Sequence, residues 1–208
     1  MLTLSLVRHG QTEYNAASRL QGWCDSPLTP GGLAGVRAAA AHLAPQPIAA
    51  VYVSPSGRAQ ATARELVAHH PAARVIIDPD LREFGFGDFE ARLESELYAQ
   101  YDPEPLFDGV LRGTFPGLPG GESGSGFLAR VGAAFARIEA AHPSGHVLVV
   151  SHGLTLRAYL TMIDDARPMR PLPNASISTV QVPSRGARRV ASIGVDPGRL
   201  AEDAVAVG

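Results

Sequence analysis

Residues 4–15 read LSLVRHGQTEYN, an apolar run that ends abruptly at Arg8, His9 and Gly10. A continuous apolar strand is buried on both faces, and α/β proteins place their chemistry at the carboxyl ends of such strands. A second run, HVLVVSHG at 146–153, ends in the same way at Ser151, His152 and Gly153. If the two strands are neighbours, two histidines distant in sequence meet in one pocket. An arginine beside the first suggests that the pocket holds an anion, with phosphate the first candidate.

Outward from the opening strand (Leu2 to Val7), a polar loop covers Gln11 to Ser26. Thr29-Pro30 then caps and starts a helix that carries Leu33, Val36, Ala40 and Leu43 on one face. Ala50 to Val53 reads as strand, Ser56 to His69 as helix and Val75 to Ile77 as strand. This β-α-β-α-β order indicates a mainly parallel sheet with helices on its faces. Residues 84–126, with GTFPGLPGGESGSG at 113–126, are rich in Gly and Pro and carry one short helix around Glu94 to Tyr101. They read as a lid-like insertion over the active-site end of the sheet. Helix resumes at Phe127 to His142, strand at His146 to Val150 and helix at Leu154 to Ile163. Ser176 to Val182 and Arg188 to Ile193 flank Pro183-Ser184-Arg185-Gly186 and suggest an antiparallel edge hairpin. The tail after Pro197 reads as weakly ordered. The expected fold is a three-layer α/β/α sandwich with a mostly parallel sheet, one domain over residues 1–208.

Composition narrows the function. The 208 residues are 45% hydrophobic and 18% charged, which places the chain among globular proteins and away from disorder. A net charge of −2 gives no nucleic-acid or membrane surface. All basic residues are arginine, which together with 22 Gly and 17 Pro reads as the mark of a GC-rich genome. The one cysteine, Cys24, excludes an intrachain disulfide and a multi-cysteine zinc site. No apolar run is long enough for a signal peptide or a membrane span, so a cytoplasmic location is the expectation. The His69-His70 pair sits at a helix end, where histidine suits the dipole, and no metal site is read from it. His42, His142 and His146 read as solvated helix-end or loop residues.

Phosphoryl transfer needs forked donors for a dianionic head, and Arg8 and Arg58 stand where they can supply them. Arg58, in SPSGRAQATA at 54–63, lies early in a helix whose free N–H groups also favour an anion. A neutral imidazole can attack phosphorus, and neighbouring guanidiniums disfavour its protonation. His9 fits this role; His152 has no arginine adjacent, Arg157 being five residues on. A carboxyl group must protonate the leaving alkoxide and then activate water. Glu83 is the best placed, with Phe84 and Phe86 to withdraw it from water; Arg82 would work against this if it turned the same way. Asp88 and Glu90 are the other acids in reach. Phe84, Phe86, Phe89 and Phe107 either wall the substrate or pack the insertion, and Trp23 either lines the pocket mouth or packs its loop.

The ordered set VRHGQTEYN (7–15), LQGWCDSPLTPGG (20–32), VSPSGRAQATA (53–63), LREFGFGDFE (81–90), GGES (120–123) and VVSHG (149–153) resembles the histidine phosphatase superfamily in its phosphoglycerate-mutase-like branch. The resemblance spans roughly residues 1 to 165. It implies a phosphohistidine mechanism with His9 phosphorylated, Arg8, Arg58 and His152 forming the phosphate pocket, and Glu83 the proton donor. It also implies that Asn15 contacts phosphate and that Gln21 and Gly22 lie near the substrate, while the Gly153 N–H adds a donor. No metal or organic cofactor is implied. Cofactor-dependent mutases of the family keep a lysine and an arginine pair in the insertion, whereas ARLESELYAQYDPEP (91–105) is acidic and leaves Arg92 and Arg112 isolated. The expectation is therefore a phosphatase of a small phosphate ester. Phosphoglycerate mutase is the alternative, and a non-catalytic phosphate-binding protein the second. Oligomeric state stays open, a homodimer included.

Overall fold

A computed structural model describes residues 1–165 and 170–199. Its sheet has six strands in the order β3-β2-β4-β1-β5-β6. These are β1 (Leu2–Arg8), β2 (Ile48–Val53), β3 (Arg74–Ile77), β4 (Gly145–Ser151), β5 (Ile177–Val182) and β6 (Arg189–Val195). β1, β2, β3 and β4 run parallel, while β5 and β6 add an antiparallel edge beside β1.

Alternation along the strands splits the core into two layers. Leu2, Leu4, Leu6, Val147 and Val149 face one side; Val7, Val51, Val53, Leu148 and Val150 face the other. The second side is covered by α2 (Pro30–Leu43) and α3 (Gly57–Val67) through Ala39, Ala40, Leu43, Ala59, Ala63 and Leu66. The first is covered by α6 (Gly124–Ala141), whose Phe127, Val131, Phe135 and Ile138 form the expected buried stripe, and by α7 (Gly153–Ile163). Both faces are thus shielded, as the continuous apolar strands demand.

The insertion holds more helix than its composition suggested. Besides α4 (Glu94–Tyr98) it contains α5 (Pro103–Arg112). The signals for α5 were local: Asp102 caps it by accepting from the Glu104 N–H, Pro103 stands in the first turn, and Gly113 closes it in the left-handed region at φ 75°. Leu106 and Val110 then join the core alongside Phe84, Phe86, Phe89 and Leu118, so this segment is packed onto the domain core. A short α1 (Glu13–Ala16) also interrupts the opening loop, capped by Thr12. His142 is the C-cap of α6, a helix end as expected, and its Nε2 lies 3.1 Å from the Tyr52 hydroxyl; His146 lies within β4, where the expected strand begins, half-buried with Nε2 2.8 Å from Ser5 Oγ. The tail beyond Arg199 lies outside the described residues, and no helix among those described is long and apolar enough to cross a membrane.

One close approach sets where the first loop leaves the sheet. Thr29 Oγ1 accepts from the Gly32 N–H at 2.9 Å, and a Cβ on Gly32 would lie 2.1 Å from the Gln11 carbonyl oxygen. Gly10 is as tightly held, 2.6 Å from Val36 Cγ2 by the same measure, so α2 presses directly on the backbone that follows His9. A Cβ on Gly31, next to Gly32 in the same helical turn, would make only an ordinary contact, 3.9 Å from Thr29 Oγ1. Alanine at position 31 or 32 gains similar helical propensity. Gly32→Ala is therefore expected to lose about 1–3 kcal/mol against Gly31→Ala in urea unfolding, the cost of displacing the Gln11 backbone.

Candidate active site

β1 and β4 are paired in register, with Arg8 opposite Ser151, and the His9 N–H donates to the Ser151 carbonyl at 3.0 Å. The residues immediately after the two strands therefore meet. The His9 and His152 rings stand 5.2 Å apart at 60°, and both side chains are buried. His9 Nδ1 lies 2.8 Å from its neighbour's carbonyl, Gly10 O, which can only accept. That contact assigns the proton to Nδ1 and leaves the lone pair on Nε2. For His152 the assignment is reversed: Nδ1 accepts from Arg58 Nη2 at 3.1 Å, and Nε2 donates to Ser54 Oγ at 2.7 Å. Burial, and then the charges of Arg58 and Arg8, hold the His9 imidazole well below its ordinary range; His152 is lowered by burial and then by Arg58. Both rings are neutral at pH 7, and His9 presents a nucleophilic nitrogen.

Arg58 occupies the first turn of α3 and is 1% exposed. Its Nη1 donates to Cys24 O at 2.8 Å and Asp25 Oδ1 at 3.0 Å, its Nη2 to Gln21 O at 3.2 Å and Gly22 O at 2.8 Å. The loop that wraps it is pinned by Glu90, whose carboxylate accepts from the N–H groups of Gly22, Trp23, Cys24 and Phe86 at 2.9–3.1 Å. These contacts hold the Glu90 carboxyl below its usual range despite partial burial, and they occupy both its oxygens. The Nε atoms of Arg8 and Arg58 are buried and meet no acceptor. Arg8 Nη1 donates to the Leu172 carbonyl. One N–H of each guanidinium, on Nε, is thus left without an acceptor near the histidine pair.

Glu83 is fixed by the start of α7. Its Oε1 accepts from the Phe84 N–H at 2.9 Å, the Thr155 N–H at 3.1 Å and the Thr155 hydroxyl at 3.2 Å; Oε2 accepts from the Leu154 N–H at 3.0 Å. Its own carbonyl receives Trp23 Nε1 and Arg130 Nη2. Arg82 turns away and lies over the Trp23 ring. Trp23 therefore packs the loop, with half its surface exposed, and does not line the cavity. A Cβ on Gly153 would lie 3.5 Å from Arg8 Nε and 3.7 Å from Glu83 Oε2, so this backbone runs between the two charged groups.

A cavity of about 340 Å³ opens above these residues. Of the residues expected from sequence, Arg8, His9, Asn15, Gln21, Glu83 and Gly153 line it. Arg58, His152 and Gly22 stand outside the lining, Arg58 and His152 joined by their hydrogen bond and Gly22 held by Glu90. Asn15 Oδ1 is engaged by the Thr12 N–H and Asn174 Nδ2, and Gln21 by Thr12 Oγ1 and Ser26 Oγ. Asp88 and Glu90 do not reach the cavity. Sequence reading missed Arg19, Glu94, Tyr98 and Leu172 as wall residues; Phe86 and Phe107 line it as one of the two expected options. Arg92 lies over Phe89 and Arg112 pairs with Asp108, both away from the lining.

The family pattern of the histidine phosphatase superfamily, branch 1, matches residues 4–194. A protein of Serratia proteamaculans named "Probable phosphoglycerate mutase GpmB" is 37% identical over 165 residues, 78% of this chain and 75% of that protein. Among solved structures, YhfR of Bacillus stearothermophilus superposes with a TM-score of 0.80 at 28% identity, covering 93% of this chain and 97% of its own. A mycobacterial glucosyl-3-phosphoglycerate phosphatase, Rv2419c in complex with VO3, also gives 0.80 at 26% identity, over 93% and 99% of the two chains. Relatives of this group are thus named both as mutases and as phosphatases. With the family pattern running from β1 into β6, this chain belongs to branch 1 of the histidine phosphatase superfamily and is an enzyme of the phosphatase or mutase kind.

Proposed function

We propose that this enzyme is a metal-independent phosphomonoesterase that hydrolyses a small phosphorylated metabolite through a phosphohistidine on His9. The observation that carries the reading is the pairing of a neutral imidazole, its Nε2 unprotonated, with two buried guanidinium Nε donors that have no acceptor. Charge neutralisation of the phosphate falls to Arg8 and Arg58. His9 Nε2 attacks phosphorus, the P–O ester bond breaks, and the leaving oxygen takes a proton from Glu83. Glu83 then removes a proton from water, which attacks the phosphohistidine; the P–N bond breaks and inorganic phosphate departs. Asn15, Gln21, Gly22 and Gly153 are assigned to substrate contact, Gly22 acting through the loop it belongs to. His152 is assigned to the phosphate pocket through Arg58, whose Nη2 it accepts on Nδ1 while its Nε2 is held by Ser54.

A mutase reading draws on the GpmB-named relatives and on Arg19 and Arg157 in the cavity wall. Against it, Glu94 lines the same wall, and neither Arg92 nor Arg112 does. Primer-dependent interconversion of phosphoglycerates that outpaces hydrolysis would decide for the mutase.

With p-nitrophenyl phosphate and a chelator present, His9→Ala is expected to lose at least about a thousandfold in kcat; equal rates in the two proteins would sink the proposal. Glu83→Gln is expected to cost roughly 10²–10⁴-fold on alkyl phosphates. It should cost less in phosphorylating the enzyme with p-nitrophenyl phosphate, whose leaving group needs little protonation, so that phosphoenzyme accumulates and is trapped by an alkaline quench, which preserves the P–N bond.

His9 and His152 are held neutral below the ordinary imidazole range, so the nucleophile is lost only when pH falls through that lowered value. Corrected for substrate ionisation, kcat/KM should show no histidine step near pH 6.5. Arg58→Gln removes one of the depressing charges and should move the acid limb upward, while burial and Arg8 continue to hold the imidazole below its ordinary range.

A further inference from the structure

The wall above the phosphate site contains a carboxylate that the chemistry at phosphorus does not use. Glu94, the first residue of α4, lines the cavity beside Tyr98, also in the wall; its N–H donates to Ser18 O at 2.9 Å, and its charge helps raise the Tyr98 hydroxyl above its ordinary range, after burial. Its charge acts on Arg8. We propose that the enzyme takes monophosphates whose organic part is uncharged and partly apolar, and that Glu94 sets this preference by excluding a second anionic group. The proposal rests on the phosphatase reading above and names its substrate class.

The charges around the cavity support it. Among the described residues, Arg8, Arg19, Arg58 and Arg157 stand with the carboxylates of Glu83, Glu94 and Asp25, with both histidines neutral, an excess of a single positive charge. A phosphate dianion more than consumes that excess, and a proton on Glu83 only restores neutrality. Arg58 pairs with Asp25 at 3.0 Å, and the charge of Glu83 acts on both Arg8 and Arg157. Arg19 is exposed, its Nη1 on Ala91 O at 2.7 Å. Among the described residues, a second carboxylate would enter the wall beside Glu94, where the charge of the exposed Arg19 is screened by water. The rest of the wall, Phe86, Phe107, Leu154 and Leu172, offers apolar surface to an alcohol or phenol.

The test compares 4-carbamoylphenyl phosphate with 4-carboxyphenyl phosphate, esters of nearly equal shape that differ by one charge. Wild type should favour the carboxamide in kcat/KM by roughly tenfold or more, as expected for like charges a few ångströms apart in a partly buried wall. Glu94→Gln should bring the ratio close to one. Should that variant fail to fold, raising the ionic strength with wild type gives the same readout, because screening narrows a ratio that rests on charge. A wild-type ratio at or below one, or a ratio unmoved by both treatments, overturns the proposal while leaving the phosphatase reading intact. If neither ester is hydrolysed the phosphatase reading fails, and this proposal with it.

Discussion

A guanidinium withdrawn from water costs several kcal/mol unless its N–H groups find oxygens at good geometry. Arg58 meets that demand with three backbone carbonyls and one carboxylate from the single loop Gln21–Asp25. Carbonyls can converge on one point only if the loop turns tightly. Its N–H groups then point outward together, and Glu90 collects three of them. The glycine at position 22 follows from the same crowding, since a Cβ there would lie 2.2 Å from the Phe84 carbonyl. The LQGWCDS stretch and the last glutamate of LREFGFGDFE are thus two halves of one device that seats a cation behind the histidines.

That cation fixes the electrostatics of both rings. Arg58 donates to His152 and, with Arg8, disfavours a second positive charge on His9. The result is a cluster whose positive charge resides on groups that cannot lose it, beside imidazoles that stay neutral. Such a cluster suits an anion that also accepts a nucleophile, because binding and attack make opposite demands on histidine charge and are served here by different residues.

Much of this is legible in the sequence where the information is local. The β1 and β4 ends are readable because a buried apolar strand that stops at RHG or SHG delivers polar side chains to the sheet's carboxyl edge, where a ligand can reach them. Arg8, His9 and His152 follow directly from that pattern, and Glu83 from the end of the β3 segment. The α5 helix escaped because Pro103, Pro105 and Gly109 read as breakers, although Asp102 and Gly113 mark its two ends. Glu90 stood out only as an alternative acid. Its partners in the Gly22–Cys24 turn lie more than sixty residues away, and no local pattern announces four converging N–H groups. Arg19, Glu94 and Tyr98 escaped for the same reason, since they meet only where the opening loop bridges the insertion at Arg19 and Leu93.

The division between the two kinds of residue has a consequence for how such a site changes. His152 is the N-cap residue of α7, and the next turn, Leu154 and Thr155, holds Glu83. One helix start therefore sets both the second histidine and the carboxylate, and β1 pairing sets His9 against them. These positions are coupled through main-chain hydrogen bonds, so a substitution that shifts one shifts the rest. Glu94, Tyr98 and Phe107 instead sit on α4 and α5, which meet the reacting groups only across the cavity. Side chains on those helices can be exchanged without moving the strand ends. On the proposed reading, the chemistry at phosphorus is thereby held by the strand ends and the start of α7, while the choice of what carries the phosphate is left to α4 and α5.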